Sequence, residues 1–65
     1  MIRYAIIAVR RAEVLGVRYL PGEYLRTPRR RIRTWKDANR AYSFLHTYIQ
    51  GPTEEAGWRV TVFPG

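Results

Sequence analysis

The sequence predicts a small α+β domain: a mostly antiparallel sheet of three or four strands with one amphipathic helix packed on one face, in the order β-β-(β)-α-β. Three observations carry this reading. Ile2 to Val9 and Trp58 to Phe63 have strand length and are rich in β-branched and aromatic residues. Trp35, Ala38, Tyr42, Leu45 and Ile49 recur in steps of three and four, the spacing of one helix face. Pro21-Gly22, between short apolar segments, is a turn signal, with Pro presetting φ and Gly tolerating positive φ. The 65 residues make a single small domain, 1–65, with a basic arm at 26–33.

The first strand is apolar on both faces. Ile2, Tyr4, Ile6 and Ala8 lie on one, and Ala5, Ile7 and Val9 share the other with Arg3. Such a strand is central in its sheet or has its second face covered, and one helix covers only one face. A second copy or a partner could cover the other, so Tyr4 to Val9 predict homodimerisation through sheet or edge. Ala12 to Gly16 read as a turn and Val17 to Leu20 as a second strand. Tyr24 to Thr27 make a short third strand, which Pro28 confines to an edge. Arg29-Arg30-Arg31-Ile32-Arg33 follow, as an extended arm or as a strand with Ile32 inward and the arginines splayed out.

The helix is expected over Arg33 to Gly51. Thr34 suits the N-cap, and Asp37, three residues on, gives a capping-box-like spacing. Gly51 and Pro52 supply the stop signal. Ala41 and Tyr48 widen the apolar stripe, and Phe44 flanks it as a packing residue. Thr53 to Gly57 form a polar loop with Glu54 and Glu55. In the last strand Trp58, Val60 and Val62 alternate with Arg59, Thr61 and Phe63, and it is placed beside the first strand in the middle of the sheet.

A chain this short buries only about 60% of its unfolded surface, so its core needs a supplement. There is no cysteine, which excludes disulfides and thiolate metal sites; five Tyr, two Trp and two Phe offer aromatic bulk instead. No apolar run approaches the ~20 residues of a membrane span, and the run Ala5 to Val9 ends at Arg10, short of a signal-peptide pattern. The expected setting is the cytoplasm, with no membrane partner. Catalysis is not expected. The chain has one His, one Ser and one Asp, and His46 has no carboxylate one turn away. Glu54 and Glu55 need not converge, and neither metal-ligand spacing nor a Gly-rich phosphate loop occurs. No cofactor is implied.

Net charge is +7, from eleven Arg and one Lys against five acids, which favours an anionic partner. Arg26, Arg29, Arg30, Arg31 and Arg33 place five guanidinium groups within eight residues. Such a run is a solvated loop, a nucleic-acid backbone contact or a contact to an acidic protein surface. Arg10, Arg11, Arg18 and Arg40 add to it. Tyr24, beside the Pro-Gly turn, is the aromatic best placed to be exposed for stacking; Tyr19 is also freer, while Trp35 and Tyr42 belong to the helix core stripe. The leading expectation is a non-enzymatic basic protein that contacts nucleic acid, mainly its phosphate backbone, through this segment. The alternative is a phage or mobile-element accessory protein that acts in the host cell, as an inhibitor or adaptor docking on an acidic surface of a host complex.

Gly16-Val17-Arg18, then a basic run, then Arg33-Thr34-Trp35-Lys36-Asp37-Ala38-Asn39-Arg40-Ala41-Tyr42 resembles the strand-then-helix half of AP2-type and integrase arm-type DNA-binding domains. The resemblance covers under half the chain and leaves out the first and last strands. It implies a three-stranded sheet laid in the major groove with Arg18, Arg26, Arg29 and Arg31 on the reading face.

Overall fold

A computed structural model describes residues 2–48 and 57–64. Its architecture is the expected α+β layer pair: a three-stranded antiparallel sheet, a separate two-stranded hairpin and one helix. The strands are β1 (Arg3–Ala8), β2 (Ala12–Val14), β3 (Val17–Tyr19), β4 (Thr34–Trp35) and β5 (Trp58–Phe63), and the helix is α1 (Ala38–Tyr48).

The apolar β1 is the centre of the sheet, in the order β4-β1-β5. Six residue pairs join it to β5, from Arg3↔Phe63 to Ala8↔Trp58. The last strand is therefore next to the first, as expected, but forms an edge. The other side of β1 is filled by two pieces of chain in succession. Tyr24 bridges Ile7, and the Leu25 N–H donates to the Ile6 carbonyl at 2.8 Å. Thr34 and Trp35 then pair with Ala5 and Tyr4. Between the two pieces, residues 26–33 leave the sheet altogether. The Arg33 N–H donates to the Leu25 carbonyl at 2.9 Å and closes the base of this excursion.

Two expected boundaries are corrected. Ala12–Val14 is strand, not turn, and only Leu15 and Gly16 make the reversal to β3, with φ of 51° and 77°. Two consecutive positive-φ residues give the two-residue hairpin turn whose twist matches the flanking strands. The helix begins at Ala38, not near Thr34. Asp37 is its cap: the carboxylate Oδ1 accepts from the Arg40 N–H at 2.9 Å. Thr34 instead lies in β4, where its hydroxyl accepts from Arg3 Nε at 2.7 Å. Both residues cap well, and strand pairing to β1 decides between them. Asp37→Ala is expected to cost about 1 kcal/mol and lower Tm by about 4–8 °C, with Asp37→Asn close to wild type. A thermal melt followed by circular dichroism reads this directly, and an unchanged D37A melting curve would remove Asp37 from the cap. The stop at Gly51-Pro52, Ile49 and the loop with Glu54 and Glu55 lie outside the described residues.

The core sits between one face of the sheet and the helix, closed at one end by the β2–β3 hairpin. Ile6, Ala8, Trp58, Val14, Tyr19, Leu25, Ala41 and Leu45 are buried together, with Trp35, Phe44 and Val60 packed against them. The helix stripe runs through Ala38, Ala41 and Leu45 and turns toward Phe44. Tyr42, expected in the core, is 42% exposed. Its place in the pattern depended on Trp35, which reaches the core from β4 and stacks at 5.5 Å on Phe44. Tyr19, expected to be free, is 3% exposed. Its ring meets Trp58 edge-on at 5.3 Å, and its hydroxyl accepts from the Arg26 N–H at 3.3 Å.

The second face of β1 is partly covered from within the chain. Tyr24 flanks β1 opposite Ile7, and Phe63 flanks it on the other side opposite Arg3. Their rings meet edge-on at 5.5 Å, along a diagonal that crosses the wholly buried Ala5. A glycine is required where β5 begins. Gly57 has φ of 97°, and a Cβ there would stand 3.3 Å from Arg10 Cγ and 3.4 Å from Ala12 Cβ. Its carbonyl accepts from the Val9 N–H at 2.9 Å. Among the described residues, no helix is long and apolar enough to cross a membrane.

Candidate nucleic-acid interface

The excursion at residues 26–33 is a built hairpin rather than an extended arm. Arg26 and Ile32 bridge across it. Thr27 organises the tip with three bonds. Its carbonyl accepts from the Arg30 N–H at 2.8 Å, its N–H donates to the Arg31 carbonyl at 2.6 Å, and its hydroxyl accepts from the Arg31 N–H at 3.2 Å. Pro28 and Arg29 are the central residues of that turn, where the fixed φ of proline is suited. Arg30 closes it in the left-handed region with φ of 66°. The sequence thus places Arg29, Arg30 and Arg31 at the apex, all exposed. Ile32 points partly outward too, at 38% exposure.

The acids of the described residues are held elsewhere. Glu23 pairs with Arg26 Nη2 at 2.6 Å, Glu13 with Arg18 Nε at 3.9 Å, and Asp37 with Arg40 Nε at 3.5 Å. The site residues therefore fall into groups. Arg26 is an internal strut: it bonds Glu23, lies 5.7 Å from the Tyr19 ring centre and caps the Tyr19 hydroxyl with its N–H. Glu23 is itself fixed by the Leu20 N–H, which donates to Oε1 at 2.8 Å across the Pro21-Gly22 turn. Arg33 lies under the hairpin, with its guanidinium carbon 5.0 Å from the centre of the Phe44 ring. Arg18 and Arg40 remain well exposed at loose surface pairs, which hold them weakly. Arg29, Arg30 and Arg31 have no acidic partner among the described residues.

The expected residues do not share one surface. Arg18 is on the β2–β3 hairpin, Arg40 on α1 and Arg29 to Arg31 on the excursion. The sheet implied by the AP2-type and integrase arm-type resemblance is absent among the described residues. Arg18 belongs to a two-stranded unit, Arg29 and Arg31 to a turn, and the three-stranded sheet is built from β4, β1 and β5. Tyr24 is half-buried against Phe63, not a free platform beside the turn. His46 is exposed on the helix.

Sequence reading missed a cleft between the arginine hairpin and the β2–β3 hairpin, with a volume of about 530 Å³. Leu15, Val17, Leu25 and Pro28 give it apolar walls, and Arg30 and Arg33 are its cationic groups besides the Glu23-bound Arg26. Its walls come from segments far apart in the chain, so no local signal in the sequence marks it. Comparison with protein families, with curated proteins and with solved structures returned no match.

Proposed function

We propose that this chain is a non-enzymatic nucleic-acid-binding protein that grips phosphates through the apex of its arginine hairpin. The observation that supports this most is the distribution of charge. The described acids are paired with Arg18, Arg26 and Arg40, and Arg29, Arg30 and Arg31 are left at an ordered tip. Three guanidinium groups this close repel one another and retain counterions. A polyanion that replaces those counterions releases them, which is favourable and steeply salt-dependent. Planar guanidinium forks suit phosphate oxygens, and contacts of this kind position a protein without reading bases.

The first test is a titration of labelled DNA and RNA by fluorescence anisotropy at several salt concentrations. Binding at about micromolar Kd is expected in low salt, with log K falling against log[salt] with a slope of about −3 to −5. A slope near zero, or no binding at 20 mM salt, removes the proposal. In that case retention of an acidic protein partner after nuclease treatment would favour the adaptor reading.

A further inference from the structure

We propose that the cleft between the two hairpins receives one unpaired nucleotide of the bound nucleic acid, its base against Leu15, Val17 and Leu25 and its phosphate at Arg30 and Arg33. This rests on the phosphate-binding reading and adds a strand preference to it.

Four observations converge on the cleft. Its volume of about 530 Å³ falls within the range of small-molecule sites. One wall is apolar and open: Leu15 is 62% and Val17 is 49% exposed, beside the buried Leu25. The cationic groups lie across from that wall, and no carboxylate lines the space.

The fourth observation concerns the backbone. Leu15 and Arg30 are the non-glycine residues at positive φ among those described, and both line this cleft. An L-residue with a full side chain is disfavoured there, and strain of this kind collects at functional sites. Asn before Gly16 would suit the turn better. A leucine held there against its preference presents an apolar side chain at the rim, and an arginine held likewise presents a charge opposite it.

The pairing of an apolar wall with guanidinium groups matches a nucleotide, which carries an apolar-faced ring beside each anion. Arg30 belongs both to the apex and to the cleft. A strand whose phosphates are gripped by Arg29 and Arg31 therefore passes its next residue over the opening. In a duplex that base is stacked and paired, and taking it out costs binding energy. A single strand is preferred on this account. An acidic peptide with an apolar side chain has the same elements but not their regular spacing along one chain.

The decisive variant is Leu15→Asn, chosen because Asn takes the left-handed backbone readily, so the fold is kept and Tm rises by about 4 °C. Anisotropy titrations at one salt concentration would compare a short single-stranded DNA, the blunt duplex of the same sequence, and the single strand with abasic positions. Wild type is expected to bind the intact single strand about tenfold more tightly than the abasic strand, the gain from burying roughly 55 Å² of apolar surface, and more tightly than the duplex. L15N is expected to erase that preference while melting higher than wild type. Equal wild-type affinity for all three ligands would overturn the cleft assignment and leave the phosphate grip standing. No binding to any of them at low salt would remove both readings. Binding of an acidic peptide that L15N weakens, without binding of DNA, would overturn this assignment in favour of a protein ligand.

Discussion

Replacing Arg29, Arg30 and Arg31 together with Ala is expected to weaken binding to duplex DNA by about 500-fold at 0.1 M salt, and to a single strand by about 130-fold. The figures follow from counterion release. On duplex DNA each neutralised phosphate adds about 0.9 to the salt exponent, so three lost contacts remove about 2.7 from it; on a single strand the values are about 0.7 and about 2.1. The same experiment at several salt concentrations should show the slope becoming shallower by these amounts, an internal check that pure loss of folding would not produce. The fold is expected to survive, because the tip is held by Thr27 and not by the arginine side chains. It should even gain a little, since the mutual repulsion of three exposed charges is relieved. Binding of the triple variant within threefold of wild type would move the interface elsewhere on the protein.

The largest effect on stability is expected at Trp58. Its side chain is 1% exposed, it is among the largest fully buried side chains, and it packs edge-on against Tyr19 at 5.3 Å. Truncating a buried Trp to Ala typically costs about 3–5 kcal/mol, part transfer energy and part cavity. A chain of this length has only about 3–10 kcal/mol of stability in total. Trp58→Ala is therefore expected to be largely unfolded at 25 °C, or to melt at least about 15 °C below wild type. Trp58→Phe keeps an aromatic ring against Tyr19 and should lose much less. A cooperative W58A transition within about 5 °C of wild type would show that the core closes without this residue. The effect should reach the arginine hairpin indirectly, because Tyr19 ties Trp58 to the Arg26 backbone.

Much of the fold was legible because it depends on local pattern. The apolar run of β1, the alternation of β5 and the Pro21-Gly22 turn each follow from side-chain type and spacing. The arginine density of residues 26–33 was visible in the sequence, but its shape as a hairpin was not, because that depends on the bonds of Thr27 and the Arg26–Ile32 bridge. What was not legible depended on tertiary choice. Thr34 and Asp37 are both good caps, and only the pairing of Thr34 with Ala5 assigns the role to Asp37. Trp35 fits a helical stripe by spacing, and misplacing it turned the predicted face toward Tyr42. Tyr19 has the amphipathic character of a surface aromatic, yet its ring fills the core and its hydroxyl anchors Arg26. The cleft could not be read from spacing at all, since its walls come from two hairpins that meet only in the folded chain.

The excursion has a consequence for how this protein can change. Leu25 lies opposite Ile6, and Thr34 lies opposite Ala5, the very next rung of the ladder. Splicing Leu25 directly to Thr34 would leave an unbroken edge strand on β1, short of a few side-chain props. The arginine hairpin is thus an interchangeable cassette set into a seam of the scaffold. Cassettes of other length or charge could be grafted at that seam without disturbing the pairing on either side, so the hairpin can diverge while the scaffold stays the same.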